Sequence, residues 1–249
     1  MEERITSRKN PFLQLVKKLL SSRKEREERG LYVSDGTKLL AEAVKHQARL
    51  EAVILSDGVE AEIPQNVRVI RVPGDVMESI SPMAAPQGAL FVCRLPEDTA
   101  FAPKAPMLLL DGIQDPGNLG TILRTADAMG VPAVLLEGCA DPFSHKVVRS
   151  SMGAVFRQKI VQTTWSEASK VLRTQNIPIA VTALSDRAED IRLADVKNMA
   201  VVIGSEGQGV RQEILQGADR ELIIPMKQSC ESLNAAVAAA IVAWQMGQV

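Results

Sequence analysis

The sequence predicts an α/β protein of two unequal domains: a small N-terminal α/β domain at residues 1–94 and a larger one at 107–249 built on a parallel sheet. Three observations carry this. Short β-rich apolar runs alternate with stretches of helical period along the whole chain, a pattern that implies parallel strands covered by helices on both faces. Residues 95–106 hold three prolines and little periodicity, which marks a linker. The 249 residues, 46% of them apolar, suffice to bury a core in each part.

The first thirty residues carry nine Lys or Arg against five Glu. Leu13, Val16, Leu19 and Leu20 fall at helical spacing, so this segment reads as an amphipathic helix with a charged outer face, stopped by Gly30. That face is either simply solvated or a nucleic-acid contact. Leu31–Val33 reads as a strand entering the turn Ser34–Gly36, and Thr37 opens a helix to about His46 with Leu39, Leu40, Ala43 and Val44 inward. Val53–Leu55, Val67–Val72 and Ala89–Cys93 supply further strands, with a helical turn over Val76–Ile80.

The second domain opens with Met107–Leu110, an apolar run of the fully buried kind. A helix from about Thr121 to Gly130 follows, on which Arg124 and Asp127 are spaced for a local ion pair. Strands over Val131–Leu136, Lys159–Gln162, Ile177–Ala183, Met199–Ile203 and Glu221–Ile224 then alternate with helices through Val147, Val148 and Met152 to about Gly153, over Trp165–Thr174, and near Val210–Leu215. The closing alanine-rich helix is expected to start at Ser232 as N-cap and to pack its backbone closely on a neighbour.

Composition limits the chemistry. The net charge is only −1, so any nucleic-acid surface has to be a local patch. Cys93, Cys139 and Cys230 are widely spaced and odd in number, which fits reduced thiols and neither a disulfide framework nor a zinc site. The two histidines, His46 and His145, lack ligand-spaced neighbours, so no metal and no histidine-based triad is expected. No apolar run reaches the ~18 residues of a spanning helix, and no signal-peptide core is present, so a soluble cytoplasmic protein is expected.

Three loops that follow apolar strands contain residues with no obvious structural duty: Gly117–Gly120 with Arg124 a turn later, Gly204–Gly209 around Glu206, and Ser229–Asn234. Loops at strand ends that face helix starts are where α/β proteins hold ligands. The second loop reads G-x-x-G-x-G, which is neither a dinucleotide fingerprint nor a P-loop. A carboxylate set between glycines at a strand end calls for a cationic mate, and Arg124 is the candidate for Glu206.

Together these loops resemble the three signatures of the SpoU-type RNA 2′-O-ribose methyltransferases of the SPOUT class. Asp115–Gly130, with Asn118, Gly120 and Arg124, is similar to the first. Val202–Val210, with Gly204 and Glu206, resembles the second, and Ile224–Ala238, with Ser232, Leu233 and Asn234, the third. Asp141–Ala154 is similar to a further family segment, and Val33–Ala43 to the family's substrate-binding domain, related in fold to ribosomal protein L30. Ser34-Asp35-Gly36 departs from that domain's common Val-Glu-Gly by a shorter carboxylate.

The resemblance implies an L30-like N-terminal domain and a catalytic domain with a deep trefoil knot, which no periodicity argument would predict. It implies S-adenosylmethionine as cofactor, held near Leu184, Gly204, Ile224, Met226, Ser232 and Leu233. For catalysis it implies Arg124 acting on the ribose hydroxyl, as general base or as electrostatic stabiliser. Asn118 would position the ribose or Arg124, Glu206 would orient Arg124, and Ser232 with Asn234 would complete the site. A guanidinium seldom gives up its proton, which favours the electrostatic role. The implied partners are structured RNA, most of all 23S large-subunit rRNA, and a second copy of the chain through the catalytic domain. Arg149, Arg157, Lys146 and the basic N-terminal segment are candidates for phosphate contacts. A tRNA substrate and a non-catalytic RNA-binding protein of the same fold are the alternatives.

Overall fold

The computed structural model describes residues 2–97, 99–227, 229–230 and 232–247. They fall into two packed units, Met1–Glu97 with Asp141–Arg157, and Asp98–Ala140 with Gln158–Val249. The sequence places residues 141–157 with the second domain. Their packing instead groups them with the first.

The chain begins with β1 (Glu2–Arg4), whose side chains are all exposed and which pairs parallel with a later strand. The expected single N-terminal helix is two: α1 (Pro11–Ser21) and α2 (Arg23–Arg29). Ser22 breaks them in an extended conformation and caps α2, accepting from the Glu25 amide, and Gly30 ends α2 at φ 64°. Leu13, Val16 and Leu19 are buried as the spacing predicts. Then come β2 (Leu31–Asp35), α3 (Thr37–Lys45), β3 (Leu50–Ser56), β4 (Arg68–Val72), α4 (Gly74–Ile80) and β5 (Ala89–Arg94). The sheet order is β1-β4-β3-β5-β2, with β5 antiparallel to both neighbours.

β6 (Met107–Leu110) is fully buried, α5 (Pro116–Ala128) follows, and β7 (Ala133–Leu135) lies parallel beside β6. α6 (His145–Ser150) and α7 (Ala154–Arg157) then pack in the first unit, where α6 lies on β2, Phe143 meets Tyr32 at 5.1 Å and Phe156 meets Phe91 at 6.2 Å. Between the two helices Met152 and Gly153 take positive φ, which ends α6 before Met152.

Back in the second unit, β8 (Val161–Gln162) precedes α8 (Trp165–Thr174), whose bounds match the expected ones because Thr164 and Glu167 form a reciprocal capping box. β9 (Ile179–Thr182), the short β10 (Glu189–Asp190), β11 (Ala200–Ile203), α9 (Gln212–Gly217), β12 (Arg220–Ile223) and α10 (Ala235–Met246) complete it. All seven strands are parallel, in the order β10-β12-β9-β11-β6-β7-β8. The chain moves outward from β6 through β7 to β8, then returns to the other side of the sheet. That reversal is the switch point beyond whose carboxyl edge open parallel sheets bind ligands.

Candidate active site

Four strand ends meet at that edge. β6 continues into Asp111, β9 into Ala183 and Leu184, β11 into Gly204, and β12 into Ile224. Loops from β9, β11 and β12, with the start of α10, line a cavity of about 1140 Å³. Leu184, Gly204, Ile224, Met226, Ser232 and Leu233 all line it, as does Glu206. The six positions that the resemblance assigns to the cofactor are thus brought together from segments far apart in sequence. Glu231 of the third loop, and Gln228 just before that loop, lie outside the described residues.

The walls suit a flat apolar body with polar edges: Leu184, Ile203, Val210 and Leu233 supply hydrocarbon, and the glycine loop supplies main-chain groups. That loop is closed on itself, Ser205 N donating to Gly209 O at 3.1 Å and Gly209 N to Ser205 O at 2.9 Å. A Cβ on Gly204 would lie 2.2 Å from the carbonyl carbon of Gly209, so only glycine fits where the loop returns over its own start.

Asn118 comes from the first turn of α5. The helix begins at Pro116, five residues before the expected Thr121, because Asp115 caps it by accepting from the Asn118 amide at 2.7 Å. The Asn118 side chain is held from both ends. Its Nδ2 donates to Glu206, and its Oδ1 accepts from Asn234 Nδ2 at 3.1 Å. Asn234, in place of the expected Ser232, is the N-cap of α10, its Oδ1 accepting from the amides of Ala236 (2.9 Å) and Val237 (3.3 Å). One cap therefore sets a sequence of orientations. With Oδ1 committed to the helix, Asn234 presents NH₂ to Asn118, which must turn its own NH₂ to Glu206.

The expected pairing of Glu206 with Arg124 is not formed: the mate of Glu206 is Asn118. Arg124 also makes no ion pair with Asp127. It lies on the exposed face of α5 and, among the described residues, makes no hydrogen bond or ion pair. Ser232 is exposed at the cavity wall.

The network around Arg211 escaped the sequence reading. Its Nε donates to Asp111 Oδ1 at 2.6 Å, its backbone N to Asp111 Oδ2 at 2.9 Å, and its Nη2 to Glu137 Oε2 at 2.7 Å. Burial pushes the Glu137 carboxyl up, but Arg211 and the Trp165 amide outweigh it and hold it below its ordinary range. The available signal was positional: Asp111 directly follows a buried strand, and Arg211 stands one residue beyond the glycine loop, after Val210.

In the first unit the candidate phosphate contacts are largely engaged within the chain. Arg149 donates to Asp35 at 3.1 Å and Arg157 to Glu42 at 2.8 Å. Of the N-terminal cations, Arg4, Arg8, Arg23, Lys24, Arg26 and Arg29 all form ion pairs. Lys18 and Lys146 remain exposed. Asp35, the shorter carboxylate of the Ser34–Gly36 turn, is buried, and burial raises its carboxyl above its ordinary value despite Arg149.

The model of the SpoU rRNA Methylase family matches residues 105–244, and that of the MRM3-like substrate binding domain matches residues 10–90. The chain is 32% identical to 23S rRNA (guanosine(2553)-2′-O)-methyltransferase RlmP of Bacillus subtilis (strain 168), over 98% of this chain and 99% of that protein. The crystal structure of AdoMet-bound rRNA methyltransferase from Sinorhizobium meliloti superposes with a TM-score of 0.87 at 26% identity, covering 98% of this chain and 97% of that one. A crystal structure of RNA 2′-O ribose methyltransferase gives 0.81 at 29% identity, covering 98% and 97%. With the cavity at the switch point and family matches in both parts of the sequence, the chain belongs to the SpoU rRNA methylase family.

Proposed function

We propose that the protein transfers a methyl group from S-adenosylmethionine to a ribose 2′-hydroxyl of structured RNA, and that this RNA is 23S large-subunit rRNA. The observation that carries the site assignment is the hydrogen-bonded series Asn234, Asn118, Glu206 beside a cavity lined by Leu184, Gly204, Ile224 and Leu233. The cavity exceeds the ~300–1,000 Å³ of ordinary small-molecule sites, which leaves room for a cofactor and an incoming nucleotide. S-adenosylmethionine supplies an electrophilic methyl carbon.

The protein has to place a weakly acidic hydroxyl in line with that carbon and stabilise the oxygen as it gains charge. Asn118, locked from both sides, orients the ribose. Glu206 keeps one carboxylate oxygen without a protein partner among the described residues, available to accept the hydroxyl hydrogen. Arg124 has no hydrogen-bond or ion-pair partner among the described residues and serves as the cation for the developing alkoxide. Its guanidinium stays protonated throughout.

A trefoil knot in the C-terminal segment belongs to this reading, supported by the convergence of the loops after β9, β11 and β12 on one cavity. So does a homodimer through the catalytic domain. Val237, Ile241 and Trp244 form an exposed apolar face on α10, with Trp244 70% exposed, and a second copy would cover it. The reading places the protein in the cytoplasm, and no helix among the described residues is long and apolar enough to cross a membrane.

The test is transfer of labelled methyl from S-adenosylmethionine to undermodified total RNA, followed by separation of the rRNAs and tRNA. Label in large-subunit rRNA at an alkali-resistant linkage is expected. Label confined to tRNA would overturn the substrate, and no label in any fraction would overturn the activity.

A further inference from the structure

We propose that Asp111 and Arg211 are a positioning pair for methyl transfer, holding the glycine loop in the shape that forms one wall of the cofactor cavity and aims Glu206. This inference rests on the methyl-transfer reading above. The loop's entrance is fixed by covalent continuation from β11, whose Ile203 carbonyl accepts from the Asp111 amide at 2.8 Å. Its exit has no strand to hold it: Val210 is followed by α9, a helix of only two turns whose N-cap, Arg211, makes no side-chain capping bond. Asp111 performs that task. It is 1% exposed and takes both the backbone N–H and the guanidinium of Arg211, so the chain leaving the loop is tied to the end of β6.

Both ends of the loop are thereby fastened to the two adjacent central strands, β11 and β6. Between them the loop closes through the Ser205–Gly209 pair, with Glu206 beyond the closure and bonded to Asn118. Glu137, at the end of the next strand and bonded to the first amide of α8, steadies the same guanidinium from outside. A buried carboxylate answered by a bidentate partner admits one geometry, which is what a site that aligns reacting groups requires.

The test compares Arg211→Gln, Arg211→Lys and Glu137→Gln in the full chain by three readouts: the Kd for S-adenosylmethionine by calorimetry, the kcat and KM for RNA, and amide hydrogen exchange at Ser205 and Gly209. Arg211→Gln is expected to weaken cofactor binding about tenfold, to lower kcat more than it raises KM, and to speed exchange at both amides about tenfold. Arg211→Lys, which restores a cation beside Asp111, should recover most of the affinity, and Glu137→Gln should show only a small loss. Arg211→Gln protein that unfolds more readily yet binds with unchanged Kd and keeps both amides protected would overturn the proposal. Absence of S-adenosylmethionine binding by the wild-type protein is a different failure, because it would overturn the methyl-transfer reading itself.

Discussion

At the corner between α1 and α2, Arg26 is 5% exposed: its Nη1 donates to the Leu19 carbonyl, and its Nε donates to Asp141 at 2.8 Å. On α5, Arg124 is exposed and makes no hydrogen bond or ion pair among the described residues. The same side chain serves opposite ends in the two regions. A guanidinium taken out of water has to be answered donor by donor, so Arg26 holds the end of α1 and the Asp141–Arg157 segment in one arrangement. A solvated guanidinium needs no internal partner, and its planar set of donors stays available to a ligand. The first unit uses its arginines to neutralise its own carboxylates, whereas the second has one on the exposed face of α5 that makes no hydrogen bond or ion pair among the described residues.

The sharpest break of this contrast is Arg26→Ala. It strands Asp141 as a largely buried charge and should cost about 3–5 kcal/mol in denaturant unfolding, while protein that remains folded at low temperature keeps its cofactor affinity. Arg124→Ala should do the reverse: unfolding within about 0.5 kcal/mol of wild type, but methyl transfer slowed about 10²–10³-fold with the S-adenosylmethionine Kd unchanged. Equal effects of the two changes on stability would erase the distinction.

Asn234 combines both duties, and two substitutions separate them. Asn234→Ala loses the cap and should cost about 0.5–2 kcal/mol as well as activity. Asn234→Asp keeps an oxygen for the Ala236 and Val237 amides but has no donor for Asn118, so stability should hold while kcat falls. The smallest effect is a pH slope in the first unit. Burial holds the His145 imidazole below its ordinary value, although Asp35 acts the other way. The unfolded chain therefore takes up this proton first as pH falls below about 6.5, and stability declines until the folded-state value is passed. Unfolding followed from pH 7.5 to 5.5 should show this decline in wild type and a shallower one in His145→Gln.

Much of the architecture was legible because it is written in local period. Met107–Leu110 and Trp165–Thr174 match their expected bounds, the one as an apolar run of buried-strand length and the other through its cap and spacing. The glycine loop and Asn118, Glu206 and Asn234 were visible as residues without structural duty and by family resemblance. β1 and β10 were not legible. Neither carries an apolar signal, and each forms only where a parallel partner already stands.

The sequence by itself determined the alternation of strands and helices, the loops that carry polar groups, and the family. Tertiary structure decided who meets whom. Asn118 meets Glu206 across 88 residues and Asn234 across 116, Arg211 meets Asp111 across 100, and Arg26 meets Asp141 across 115. The physical reason is that periodicity records which face of an element is buried, a property of neighbours three or four apart in a helix and two apart in a strand. Hydrogen-bond partners at strand ends depend instead on strand order, and so the chain could announce Glu206 and Arg124 as a pair while the fold gave Glu206 to Asn118 and left Arg124 exposed, without a hydrogen bond or ion pair among the described residues.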